Sequence, residues 1–174
     1  MALTGNEVLE IQGLDGAGRL AATTESVTVQ KLVNQSGQVV AAGSTLALTA
    51  SDAGATILLN TASGSVVTLP AATGSGQRFT FVVTTAVTSG DHKILAHSTS
   101  DFIQGNVFTQ DSATVTGYSS NGTADHSLAL NGSTTGGLVG DQIELVDVAA
   151  NLFQARGITQ STGVAATPFS TSAT

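Results

Sequence analysis

The sequence has no cysteine and no tryptophan, and it holds one tyrosine, Tyr118, and one methionine, Met1. Without cysteine there is no disulfide, no thiolate metal site and no cysteine nucleophile, and the redox compartment leaves no trace in the chain. Positive charge is scarce. Only 5 Lys+Arg stand against 12 Asp+Glu in 174 residues, for a formal net charge of −7 and a pI of about 4.5. So few cations neutralise few phosphates, and nucleic acid is not an expected partner. No apolar run approaches the ~18 residues that read as a membrane-spanning helix, so no membrane partner is expected either. Residues 1–13 show neither a basic n-region nor an apolar h-region, which predicts no secretory signal.

What is present describes a β-protein. Apolar residues make up 41% and charged residues only 10%, and the mean hydropathy is +0.25. That balance favours folding over disorder. The 20 glycines, with abundant Ser, Thr, Ala and Val and few Glu, Lys or Arg, suit short strands joined by tight turns. No apolar period of 3.6 residues persists beyond two turns, and no internal repeat of fixed period is visible.

Three parts are expected: an extended N-terminal arm over 1–36, a body over 37–158 and a polar C-terminal tail over 159–174. The body reads as all-β, a single small β-sandwich, jelly-roll-like or barrel-like, because period-two runs recur between turn signals. Candidate strands cover residues 44–50, 56–60, 65–69, 77–84, 93–97, 127–130, 140–147 and 153–158, with shorter ones at 102–103, 107–108 and 113–115. Phe79, Phe81 and Val83 share a face and are expected in the core, as are Ile143 and Leu145, with Gln142 and Glu144 pointing out. Asn121-Gly122 and Asn131-Gly132 predict type I′ hairpins. In the arm, residues 7–11 alternate like a short strand, and residues 26–33 are strand or short helix. So little apolar content implies that the arm lies on the body, a sister subunit or a partner. Phe169 is the one apolar anchor of the tail, for docking on the body or on a neighbour.

The search for chemistry finds little. Gly74-Ser75-Gly76 comes nearest to a phosphate loop, but it lacks the Gly-Lys-Ser/Thr that should follow and it leads into a strand. His92 and His97 fall on opposite faces of an extended chain, and neither has a partner at a standard ligand spacing. Asp91-His92 and Asp125-His126-Ser127 allow a catalytic triad on paper, without a Gly-x-Ser-x-Gly elbow. Asp141 and Asp147 read as strand-flanking residues bonded to nearby backbone. The loop aspartates show no EF-hand pattern. No enzyme activity, metal or other cofactor is expected.

Residues 3–13, Leu3-Thr4-Gly5-Asn6-Glu7-Val8-Leu9-Glu10-Ile11-Gln12-Gly13, with Thr23-Thr24 after them, resemble an opening segment of tailed-phage virion proteins. The body resembles small phage head-decoration (cement) proteins at residues 52–60, 67–76 and 136–147, including Val67-Thr68-Leu69-Pro70 and Gly140-Asp141-Gln142-Ile143-Glu144-Leu145. The resemblance implies a non-enzymatic virion structural protein, made in the host bacterial cytoplasm and placed on the outer surface of the capsid. Its implied partners are the major capsid protein, whose neighbouring subunits it would cement, and itself, as a homotrimer in preference to a dimer. Leu3, Glu7, Leu9, Ile11, Gln12 and Phe169 are the expected contact residues. A tail fibre, spike or tail-tip module that binds a host-surface receptor or glycan is the alternative, and a small hydrolase or lyase is a third reading.

Overall fold

The computed structural model describes residues 38–172. The chain divides into two units, Met1–Gln35 and Ser36–Thr174, and the description concerns the second. The strands expected at 7–11 and 26–33, and the contact residues Leu3, Glu7, Leu9, Ile11 and Gln12, lie outside the described residues.

The expected all-β class holds. Among the described residues, twelve strands form two mixed sheets. In chain order they are β1 (Val39–Ala41), β2 (Thr45–Ala47), β3 (Thr56–Leu59), β4 (Val66–Thr68), β5 (Arg78–Val83), β6 (His92–Leu95), β7 (Phe102–Gln110), β8 (Val115–Asn121), β9 (Ser127–Leu130), β10 (Gln142–Ala149), β11 (Leu152–Gln160) and β12 (Phe169–Ser170). The seven-stranded sheet runs β1-β3-β5-β10-β11-β7-β8, and the five-stranded sheet runs β12-β9-β6-β4-β2.

The first six strands alternate between the sheets, and each pairs in parallel with the next one in its own sheet. The chain therefore winds like a short coil, stacking Val40, Ile57 and Phe81 on one side and Leu46, Val67 and Ile94 on the other. Successive partners such as Val39, Thr56 and Thr80 are unequally spaced along the chain, so the repeat exists in space and leaves no fixed period in sequence.

Alternation sets the core. Phe79, Phe81 and Val83 of β5 and Ile143 and Leu145 of β10 are buried, as expected. They join Ile57, Val67, Ile94, Ile103, Leu128 and Phe153 in one hydrophobic cluster drawn from both sheets. Each such side chain contributes roughly 1.5–3 kcal/mol through burial.

Several local expectations fail for tertiary reasons. Neither Asn-Gly pair closes a hairpin. β8 is followed by β9 in the other sheet, and β9 by β10, again in the other sheet. A type I′ turn needs positive φ at both central residues, yet among the described residues Asn151 is the only non-glycine with positive φ. Asn131 instead turns its side-chain oxygen on the backbone N–H groups of Ser133, Thr134 and Thr135. The true hairpin turns lie elsewhere. Asp111 accepts the N–H groups of Ala113 and Thr114 between β7 and β8, and Asn151 sits between β10 and β11.

The boundary expected after residue 158 falls inside a strand. β11 runs through residue 158 to Gln160. β12 then pairs Phe169 with Leu128 as an edge of the five-stranded sheet.

The longest pairing is β7 with β11, parallel and in continuous register from Phe102–Leu152 to Gln110–Gln160. The short candidates at 102–103 and 107–108 are one strand, interrupted in sequence by Gly105-Asn106. Gly105 has φ +135, and a Cβ there would overlap the Ala155 carbonyl oxygen. Glycine lets the two backbones approach. At the far end, Thr109 and Thr159 are buried and their hydroxyls bond to each other at 2.9 Å.

Gly105→Ala is expected to cost about 2–4 kcal/mol, from strain plus displaced backbone. Gly163→Ala is the control, since its Cβ meets nothing closer than 3.6 Å. Urea unfolding of the two variants checks the contrast, and equal stabilities would remove the close-approach role of Gly105.

Candidate functional site

Four of the titratable residues that looked chemical in sequence, His92, His126, Asp141 and Asp147, are occupied in holding the fold. His92 is fully buried. Its Nδ1 accepts the Ser65 N–H at 3.0 Å, so Nε2 carries the proton and donates to the Thr85 carbonyl at 3.0 Å. Burial lowers its pKa below 6.5, against the raising effects of the Thr85 carbonyl and Asp91. The Ser65 hydroxyl beside it is buried without a hydrogen-bond partner. His126 bonds through Nδ1 to the Asp101 backbone carbonyl at 2.9 Å and stacks, tilted, on Phe102 at 4.9 Å. Neither imidazole is bonded to a carboxylate or hydroxyl, so the triads written in the sequence are not assembled.

Asp147 and Asp141 do anchor backbone, as expected: Asp141 takes nearby N–H groups and one distant one, whereas those of Asp147 lie more than seventy residues away. Asp147 takes the N–H groups of Thr73, Gly74 and Ser75 at 2.7–3.1 Å and the Ser75 hydroxyl at 2.6 Å. Burial pushes its pKa up, but these donors outweigh it and hold the carboxyl below its ordinary value. The Gly74-Ser75-Gly76 loop that resembled a phosphate loop is thus an anion cradle filled by the chain's own carboxylate. Asp141 accepts from Gly137, Leu138 and Gln160. Burial outweighs those three bonds and raises its pKa. No group of three or more His, Cys, Asp or Glu is placed to hold a metal among the described residues.

The remaining candidate is a surface, the outer face of the seven-stranded sheet. Strand register sets it out in rows. Val82, Gln142, Ile158, Phe108 and Gly117 are successive cross-strand partners. Thr80, Glu144, Arg156, Asn106 and Ser119 form the next row. Ile158 is 68% exposed and Phe108 50%, although both sit mid-sheet on paired strands. A Cβ on Gly117 would lie 3.1 Å from the Phe108 ring, so this glycine lets the ring come close to β8.

The charged side chains among these rows and the adjoining Arg78 make one cluster. Glu144 is bonded by Arg78 at 2.6 Å and by Arg156 at 2.9 and 3.0 Å. Such exposed pairs contribute little stability, but two guanidiniums on one carboxylate leave the cluster cationic on an anionic chain. An open depression of about 530 Å³ is lined by Asn106, Phe108, Gln142, Glu144, Arg156, Gly157 and Ile158. A smaller one of about 230 Å³ is also bounded by Glu144 and Arg156. An open face with few charges and an exposed aromatic–aliphatic pair suits contact with another surface.

Of the expected contact residues, Phe169 is 7% exposed and packed in the core cluster. Its anchoring is on the body, where the side chain is not presented to a partner. Sequence reasoning missed Phe108, Ile158, Gly117 and Arg156. The available signal was an apolar residue at an outward position of an alternating run, as in Arg156-Gly157-Ile158. No family model, curated protein or solved structure matches the chain.

The buried imidazole makes stability depend on pH. Because the folded pKa of His92 lies below its unfolded value of 6.5, its contribution is full above pH 6.5. That contribution is lost as pH falls from there through the folded pKa. Asp147, also lowered, adds a further loss at more acid pH. Urea midpoints are expected to fall on going from pH 7.5 to 5, and His92→Gln to flatten that slope. An unchanged slope in the variant would assign the titration elsewhere.

Proposed function

We propose that the chain is a non-enzymatic virion structural protein that decorates the outer surface of a tailed-phage capsid and cements neighbouring major capsid protein subunits. The resemblance of residues 3–13, 52–60, 67–76 and 136–147 to such proteins supplies the class. The observation that carries the reading is the outer face of the seven-stranded sheet, where Ile158 and Phe108 stand exposed on a rigid, paired platform. In this reading the two sheets form a sandwich-like body that lays this face on the capsid. The segment 1–36, with Leu3, Glu7, Leu9, Ile11 and Gln12, adds contacts across subunit joints, and the protein acts as a symmetric homo-oligomer. Repetition of one modest contact around a symmetric shell gives high avidity from weak single sites.

The test is co-sedimentation with capsids of the encoding phage that lack this protein, with its position located in a virion density map. The native chain is expected to coat heads. Ile158→Asp with Phe108→Ser is expected to weaken binding about tenfold or more, since each apolar side chain contributes roughly 1.5–3 kcal/mol when buried. Removal of residues 1–36 is expected to abolish coating while the body stays folded. Density on the tail alone, or full coating by the double variant, overturns the reading.

One observation favours the receptor-binding alternative. Phe108 stands over a depression with Asn106, Gln142, Glu144 and Arg156, which pairs an aromatic surface with hydrogen-bonding groups of the kind that hold a sugar. Binding on a glycan array that is lost in Phe108→Ser would favour it over the capsid reading.

A further inference from the structure

We infer that β8 is the self-association edge of this protein, and that a second copy of the chain pairs with it antiparallel about a two-fold axis. The inference is independent of the capsid reading.

Four sheet edges exist among the described residues. Three are blunted by length: β1 and β2 have three residues each and β12 has two. Short edges are one way that folded proteins avoid adding a strand. β8 is the exception, with seven residues paired along their whole length to β7. Its sequence, Val115-Thr116-Gly117-Tyr118-Ser119-Ser120-Asn121, has no lysine or other charge and no proline, and its register with β7 has no bulge. Among the described residues, the guards that an edge strand carries in its own sequence are missing, and β12 of the other sheet lies near it.

Exposure says what kind of occupant fits. No residue of β8 is fully buried, on either of its faces. On the outer face, Val115 is 61% exposed and Phe108 beside Gly117 is 50%. On the inner face, Tyr118 packs on the core yet stays partly open. An identical strand would pair the backbone edge and set its own Val115 and Tyr118 side chains alongside β8, on the outer and inner faces respectively.

The charge pattern points to the same occupant. In a two-fold contact each residue of a strand meets a residue of the identical strand, so any charge near the axis is brought close to its own copy. β8 has none to bring, whatever the register. Pairing would extend the seven-stranded sheet across both copies. This two-fold contact departs from the three-fold order that the cement-protein resemblance implies.

Analytical ultracentrifugation of the full chain across a wide concentration range is the test, with Val115→Lys/Ser119→Lys as the blocking variant and Val164→Lys as the control. Val164 is 86% exposed and outside the strands. The native chain and the control are expected to reach twice the 17.3 kDa chain mass. The blocking variant is expected to need about tenfold or more protein to do so. A native chain that stays monomeric or reaches three times that mass overturns the inference, as does a blocking variant that dimerises like the control. Circular dichroism checks that the variant folds. Should it not, hydrogen exchange on the native chain decides. Amides of residues 115–121 that gain protection with concentration support the pairing, and concentration-independent exchange there overturns it.

Discussion

The parallel pairing of β7 with β11 is the contact on which the rest of the structure depends. It joins two hairpins, β7–β8 and β10–β11, that are apart in sequence, and β10 in turn ties them to β5 and the wound strands β1–β6. Gly105 admits the Ala155 backbone at one end, and the Thr109–Thr159 hydroxyl pair closes the other. The same register brings Phe108 beside Ile158 and Asn106 beside Arg156. The outer face is therefore a consequence of this one pairing.

Charge is distributed to match that arrangement. The chain carries a net −7, yet two of its most hydrogen-bonded carboxylates are turned inward as loop anchors. Asp147 cradles Thr73–Ser75, and Asp141 holds Gly137, Leu138 and Gln160. The outer rows keep a single carboxylate, Glu144, between two arginines. A face of amides, small side chains and exposed apolar groups asks little desolvation on contact, since few charges have to leave water. Such a face fits the cementing role proposed for it.

Much of the fold was legible locally, and the misses share a cause. The inward faces of β5 and β10 were readable because alternation is written residue by residue. The Asn-Gly pairs misled because the dipeptide reports a permitted turn and not where the chain goes next: Asn131 caps a crossing between sheets. β8 was invisible beyond Val115 because Gly117, Ser119 and Ser120 have weak strand propensity and are held in register by β7. Phe169 was legible as an apolar anchor, but whether it docks on the body or on a neighbour was not, because its partner Leu128 lies far away in sequence.

The sequence by itself determined the all-β class, the short strands, the core faces and the scarcity of charge, because these follow from composition and a two-residue period. Only the tertiary structure decided that the first six described strands wind in parallel between two sheets, that Phe108 and Ile158 meet on an open face, and that β8 is the long edge among the described residues. Strand order and register come from pairings between distant segments, and no local pattern encodes which segment a strand will meet.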